Sequence, residues 1–570
     1  MNFFKTITLV FLFLMAPSVL VYAQSNSLGQ QTSFYVDQNY DLSQRNKISA
    51  VLQKVGENAY FYVDKDWWNS LSVEDKEKTN KSLETLDTEF SSKIYPTLIL
   101  NFGLEWRPGI DNDTKITILL HPMQEDAGGY FRSNDEYPKL QLTDSNEREM
   151  VYLNAKFINT QYINSFLAHE FTHLIGYNQK DKTRGVTEDI WLDEGRADYA
   201  PALCGYNSVY AGSNLQRRVK TFLENPNDSI TEWQNIPQDY GSLDLFIQYL
   251  VDHYGVKILS DSLKSSKIGI DSINYALAKN NYSENFSQVF SNWTITVLIN
   301  DCTAGNKYCY LNQDLTNLRI VPQINVLPFS GKSVLTIGDA TKNWSGNWYK
   351  IIGGRGTLKL KFIGSGKVPF KVYYIAQNNK GAYTVKFLLL NSFGEGEALI
   401  ENFGTENTSL FIIPTIQNKI YESLSSEPFY SFNWSVSVVE NQEESADEIS
   451  KLQAQVNILK KQIAAILAQK QGGTGNQGSI SCSQLSSNLY FGMSGNNGVK
   501  CLQEFLKSQG ADIYPEGLVT GNFGSLTKQA VIKFQEKYTA DILTPVGLLK
   551  GSGYVGAQTR AKINQILSAG

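Results

Sequence analysis

The apolar period of this chain changes along its length, and each change limits what the segment can fold into. From 46 to 305, strand-like runs such as AYFYVD (59–64), KITILLH (115–121) and MVYLN (150–154) alternate with helical stretches, the first a polar helix over 71–92. Helices dominate the second half, so the pattern is that of an α+β domain. From 320 to 440 the period falls to two: TLKLKFI, FKVYYIA, YTVKFLLL, SLFIIP and FNWSVSVV are short runs separated by Gly, Asn and Ser clusters, which predicts an all-β sandwich. Between 441 and 470, Ile449, Leu452, Val456, Leu459, Ile463 and Ile466 alternate spacings of three and four. This is a short coiled-coil seam through which copies of the chain can associate, although one amphipathic helix lying on a neighbouring domain has the same stripe. GGTGNQG then marks a flexible linker over 471–480. A multidomain chain also follows from a length of 570 residues.

The N-terminus carries Lys5, an apolar run from Ile7 to Val21, and the short residues Val21 and Ala23 before Gln24, which read as a secretory signal peptide over 1–23. A run of about 15 residues is shorter than the roughly 20 that a spanning helix needs. Residues 24–45 are polar, lack a periodic pattern and are expected to be a flexible lead-in. Five cysteines suit an exported protein with few disulfides: Cys302 with Cys309, and Cys482 with Cys501, are placed for two local bridges. Cys204 is left over and reads as a small buried residue. A net charge of -5 without a basic patch argues against nucleic-acid binding.

The segment SFLAHEFTHLIGY (165–177) has helical apolar spacing and sets His169 and His173 four apart. Four residues is about one turn, so both imidazoles leave one helix face and can hold one ion. Glu170 projects beside that ion, where a carboxylate can take a proton from an activated water. With only 4 His in the chain, chance would produce HExxH in roughly one such sequence per thousand. Structural zinc sites usually close their sphere with Cys, whereas a catalytic site keeps three protein ligands and an open position. Downstream, WLDEGRADYA (191–200) offers Glu194, with Asp198 one turn further on the same face.

An HExxH followed about twenty residues later by a Glu resembles the gluzincin metallopeptidases, the thermolysin-like and aminopeptidase-like clan. The resemblance implies that His169, His173 and Glu194 hold one catalytic Zn²⁺, that Glu170 is the general base, that Asp198 braces a ligand histidine and that the substrate is a polypeptide. It extends over most of 46–305: KITILLH and the Gly-Gly turn of DAGGYF look like the strand and loop bordering the cleft, and YGSLDLFIQYLVDHYG (240–255) looks like the following helix. No histidine lies between 174 and 252. The expected oxyanion donor is therefore Tyr240, which matches a tyrosine of some clan members, with Tyr249, Tyr254 and His253 next in order. His253, near a helix end, reads as structural, and His121 as a satisfied edge-strand histidine.

Residues 481–570 resemble the small all-α peptidoglycan-binding domain of wall-associated hydrolases, through GNNGVKCLQEFL (495–506), VTGNFGSLTKQAVIKFQ (519–535) and YVGAQTRAKINQIL (554–567). That resemblance implies a helical bundle with a shallow groove for wall glycopeptide. The combined expectation is a secreted, cell-wall-associated bacterial zinc metallopeptidase. Two rivals stand beside it: a wall-anchored adhesive protein with an inactive peptidase fold, and a hydrolase of the wall peptides themselves.

Overall fold

A computed structural model describes residues 26–439 and 482–569, apart from 126, 329–332, 367, 419–426 and 516. The chain forms two compact units, divided between residues 444 and 445. The expected signal peptide (1–23), coiled coil (441–470) and linker (471–480) lie outside the described residues.

The first unit opens with a mixed sheet of β1 (Gln31–Tyr35), β2 (Lys47–Val55), β3 (Ala59–Asp64), β4 (Ile116–His121), β5 (Gly129–Phe131) and β6 (Met150–Asn154) in the order β1-β2-β3-β4-β6-β5. β3, β4 and β6 run parallel, and β5 closes one edge antiparallel to β6. The three parallel strands are buried on both faces, which is why they read as unbroken apolar runs. Alternate residues sort the two faces: Phe61, Val63, Ile118, Leu120, Val151 and Leu153 face the helices. Tyr60, Tyr62, Leu119, Met150 and Tyr152 face the N-terminal segment.

That segment corrects the expectation of a flexible lead-in over 24–45. β1 pairs with β2 from Gln31↔Val51 to Tyr35↔Lys47, and Phe34 and Val36 are buried. The chain then turns through Asp41, a buried carboxylate that accepts from the Arg45 side chain and backbone. Burial opposes its ionisation, but His121 and Arg45 outweigh that and hold the carboxyl well below the ordinary range. Order here comes from pairing with residues later in the chain, so no periodic pattern marks it. His121 is likewise not on an edge strand: β4 lies between β3 and β6. Its Nδ1 is 3.2 Å from Asp41 Oδ2 and its Nε2 3.2 Å from the Tyr130 hydroxyl.

Helices cover the other face of the sheet, and their core continues past the expected boundary at 305. Tyr310, Leu315, Leu318 and Ile320 are buried in it, and so are Trp344, Trp348, Phe411 and Ile413 of the following β region. Trp348 also donates from Nε1 to the Thr294 carbonyl at 2.8 Å.

The β region comprises β7 (Gln323–Leu327), β8 (Val334–Thr341), β9 (Tyr349–Gly353), β10 (Gly356–Gly364), β11 (Phe370–Asn378), β12 (Tyr383–Leu388), β13 (Glu395–Phe403), β14 (Asn407–Ile416) and β15 (Tyr430–Val439). Its pairing gives one layer β12-β11-β14-β9-β7 and another β13-β10-β15-β8, joined by the pair Phe403↔Asn407. Leu358, Leu360, Phe362 and Trp434 of one layer share a core with Val372, Leu410 and Ile412 of the other, as alternating strands require. The second unit packs helices Asn497–Ser508, Ser525–Lys537 and Ala557–Ala569 around Leu502, Phe505, Val531, Phe534 and Ile563. Disulfides join Cys302 to Cys309 and Cys482 to Cys501, and Cys204 is free and buried. No helix among the described residues is long and apolar enough to cross a membrane.

Candidate metal centre

The helix Tyr162–Tyr177 buries Leu167, Ala168, Phe171, Leu174 and Ile175, a stripe that fixes its rotation and leaves His169 and His173 together on the adjacent face. Their Nε2 atoms are 3.2 Å apart. Glu194, on the helix Ile190–Leu203, brings Oε2 to 3.3 Å from His169 Nε2 and 3.7 Å from His173 Nε2. Three donors around one zinc at about 2.0–2.2 Å stand roughly 3.3–3.5 Å from each other in a tetrahedral sphere, so the triangle has the size of a zinc site. Glu194 Oε2 is buried and makes no hydrogen bond, although it faces both imidazoles. An acceptor in that position suits a cation. Glu170 places a carboxylate oxygen in the same cluster, all within 4.8 Å with the two histidines.

Each imidazole has a carboxylate behind it. His173 Nδ1 is 2.7 Å from Asp193 Oδ2, a partner that sequence reasoning missed, and His169 Nδ1 is 3.8 Å from Asp198 Oδ1. Asp193 approaches closely because residue 176 is Gly: a Cβ there would stand 2.9 Å from Asp193 Oδ1. Arg218, on the helix Asn214–Glu224, grips Asp198 with Nε–Oδ2 2.8 Å and Nη2–Oδ1 2.7 Å. It too was not legible in sequence.

Burial alone would lower the His173 imidazole, but the carboxylates of Asp193, Glu194 and Glu170 push it up to about 10. The surrounding carboxylates thus favour a positive charge at this imidazole. Burial pushes Glu170 up despite the neighbouring histidines. For Glu194 burial acts the same way, yet the histidines outweigh it and hold the carboxyl down.

Tyr240 lies in the first turn of the helix Pro237–Tyr254, which Pro237 opens. The Arg218 guanidinium sits 4.2 Å above its ring and Trp233 meets it edge-on at 4.8 Å. Burial, then the charge of Glu194, pushes the phenol far up, so it stays a donor. The alternative donors lie elsewhere: Tyr249 donates to the Lys307 carbonyl, Tyr254 meets Glu284, and His253 Nε2 is 2.7 Å from the Cys309 carbonyl. A second phenol, Tyr40, stacks on Tyr130 at 4.7 Å and has Asn235 as a side-chain partner. Burial, then Glu170 and Glu194, raises it. Tyr40 comes from the N-terminal segment, and nothing in the local sequence marks it. On the sheet side, a Cβ at Gly129 would stand 2.9 Å from Glu170 Cγ, so the Gly-Gly turn and edge strand β5 run directly beside Glu170.

Comparison with known proteins fits both units. Over 255 residues the chain is 26% identical to the neutral metalloprotease ShpI of Staphylococcus hyicus, covering 40% of this chain and 53% of that protein. It therefore spans about half the length of this curated relative. Residues 495–540 match the peptidoglycan binding domain family. Among solved structures, the pre-peptidase C-terminal domain of a Bacillus anthracis collagenase is 9% identical, covering 20% of this chain and 96% of that one, at a TM-score of 0.15. Aeromonas hydrophila PliG, a periplasmic inhibitor of g-type lysozyme, is 10% identical and covers 20% and 98%, at 0.13. At these scores neither likeness bears on fold or function.

Proposed function

We propose that this chain is a secreted, wall-associated metallopeptidase of the gluzincin type, with His169, His173 and Glu194 as ligands of one zinc ion. The observation that carries this is the triangle of donors at 3.2, 3.3 and 3.7 Å with an unbonded, buried Glu194 oxygen among them. When bound, zinc supplies Lewis-acid polarisation of the scissile carbonyl and acidifies water. Glu170 takes the proton from the attacking water and returns it to the leaving amine, and its raised affinity for protons suits both steps. Asp193 and Asp198 orient the imidazoles, and Arg218 holds Asp198 in place. Tyr240 donates to the oxyanion. An extended peptide laid against β5 adds a strand to the sheet and brings its carbonyl to Glu170. The C-terminal unit binds peptidoglycan, in keeping with the family matched at 495–540.

Glu170→Gln should keep stoichiometric zinc and lower casein hydrolysis by about 10²- to 10⁴-fold, the range of a lost general acid–base. Wild-type turnover in that variant, or a wild-type protein that binds no zinc, would refute the mechanism. The C-terminal unit also favours a second reading, cleavage of wall peptides. Zymograms on casein beside purified wall separate the two, and clearing of wall alone selects the second.

A further inference from the structure

The C-terminal unit carries an exposed aromatic face whose rings lie outside the matched family residues. Leu489 and Val555 form an antiparallel bridge, with amide–carbonyl distances of 3.3 and 2.9 Å, and both side chains are buried. Side chains alternate across an extended backbone, so the neighbours Tyr490 and Tyr554 turn outward together. Their rings are nearly parallel at 22°, centroids 6.4 Å apart, and 53% and 44% exposed. The backbone beneath is rigid: Gln535 donates to the Tyr554 carbonyl at 2.8 Å and accepts from Gly553 N at 2.9 Å. Phe491, 58% exposed, extends the face. Lys528 joins it, its stem lying over Gly553 and its ammonium 5.8 Å from the Phe491 ring centroid.

Three large rings held outward on a small folded unit lose apolar contact unless something covers them. A pyranose suits such a surface, because its C–H face lies on an aromatic ring while its hydroxyls stay hydrated, and two fixed rings match successive sugars of a strand. Residues 482–570 carry eight Lys and Arg against five Asp and Glu within a chain of net charge -5, a balance suited to an anionic wall. We propose that Tyr490 and Tyr554, flanked by Phe491 and Lys528, form the platform on which the glycan strand of peptidoglycan stacks. This rests on the wall-binding reading above and names the face and the component bound.

The test uses the full chain with purified sacculi, read by sedimentation, and with the soluble glycan strands that an amidase releases from them, read by titration. Wild type should bind both. Tyr490→Ala/Tyr554→Ala should lose at least about tenfold in affinity for both, the scale of a removed binding hot spot. Tyr490→Phe/Tyr554→Phe keeps the rings and should bind nearly as wild type, and casein turnover should be the same in all three. If wild type binds and the alanine pair binds equally, the platform is refuted while wall binding stands. Absence of wild-type binding to the released glycan strands would assign recognition to stem peptides and overturn the glycan assignment. A change of sedimenting mass in the alanine pair would make the face a contact between copies, which also overturns it. Absence of wild-type binding to intact sacculi would remove the wall-binding reading together with this proposal.

Discussion

Arg218 ties two parts of the proposed centre together, because one guanidinium holds Asp198 bidentately and covers the Tyr240 ring. Tyr240 therefore has a fixed ring orientation. Tyr240→Phe should lower kcat by about 10- to 1000-fold with KM and Tm nearly unchanged, the cost of one oxyanion donor. Tyr40→Phe is the necessary comparison, since the charges of Glu170 and Glu194 also raise the Tyr40 phenol. If full activity survives Tyr240→Phe but not Tyr40→Phe, the donor is Tyr40. The carboxylates behind the imidazoles should differ in weight. Asp193→Asn removes a contact of 2.7 Å and Asp198→Asn one of 3.8 Å. A zinc titration should show about 10- to 100-fold weaker binding for Asp193→Asn, with a smaller loss for Asp198→Asn. The reverse order would make Asp198 the principal brace.

Among the elements, the motif helix was the most legible, because its apolar stripe and its histidines obey one local period. The strand β1 was the least legible. Five residues carry no reliable period, and Gln31–Tyr35 are ordered by the ladder to Lys47–Val55. Sequence spacing also could not show that the sandwich shares its core with the helices, since Trp344 and Trp348 look like ordinary strand-flanking aromatics. Trp348 is 5% exposed and bonded to the Thr294 carbonyl. Trp348→Ala should cost about 3–5 kcal/mol in denaturant unfolding, the usual penalty for a large buried aromatic. The helices and the sandwich should still unfold in one transition. A separate, unshifted transition for the helical part would show that the shared core does not couple them.

For the whole molecule, two compact units imply separable duties. A chain ending at 440 should hydrolyse soluble casein as the full chain does and fail to sediment with insoluble wall. If shortening abolishes turnover on soluble substrate, the C-terminal unit contributes to the catalytic site. Chelation should abolish turnover and also lower Tm, because a ligand at about 1,000 times its Kd adds roughly 4 kcal/mol to the folded state. Loss of activity without any change in Tm would place the essential metal outside the folded site.

The sequence by itself determined what local spacing can encode. The change of apolar period separated α+β from all-β regions, and the four-residue spacing put His169, Glu170 and His173 on one helix. Glu194 and Asp198 followed from a helix close behind in the chain. Only the tertiary structure decided what surrounds them. Asp193 rather than Asp198 makes the short contact to an imidazole, Arg218 joins Asp198 to Tyr240, and Tyr40 comes from a segment that looked unstructured. These partners arrive from separate elements, and their directions depend on how the sheet and helices pack. A periodicity records which face of an element is buried, and it carries no information about what that face meets.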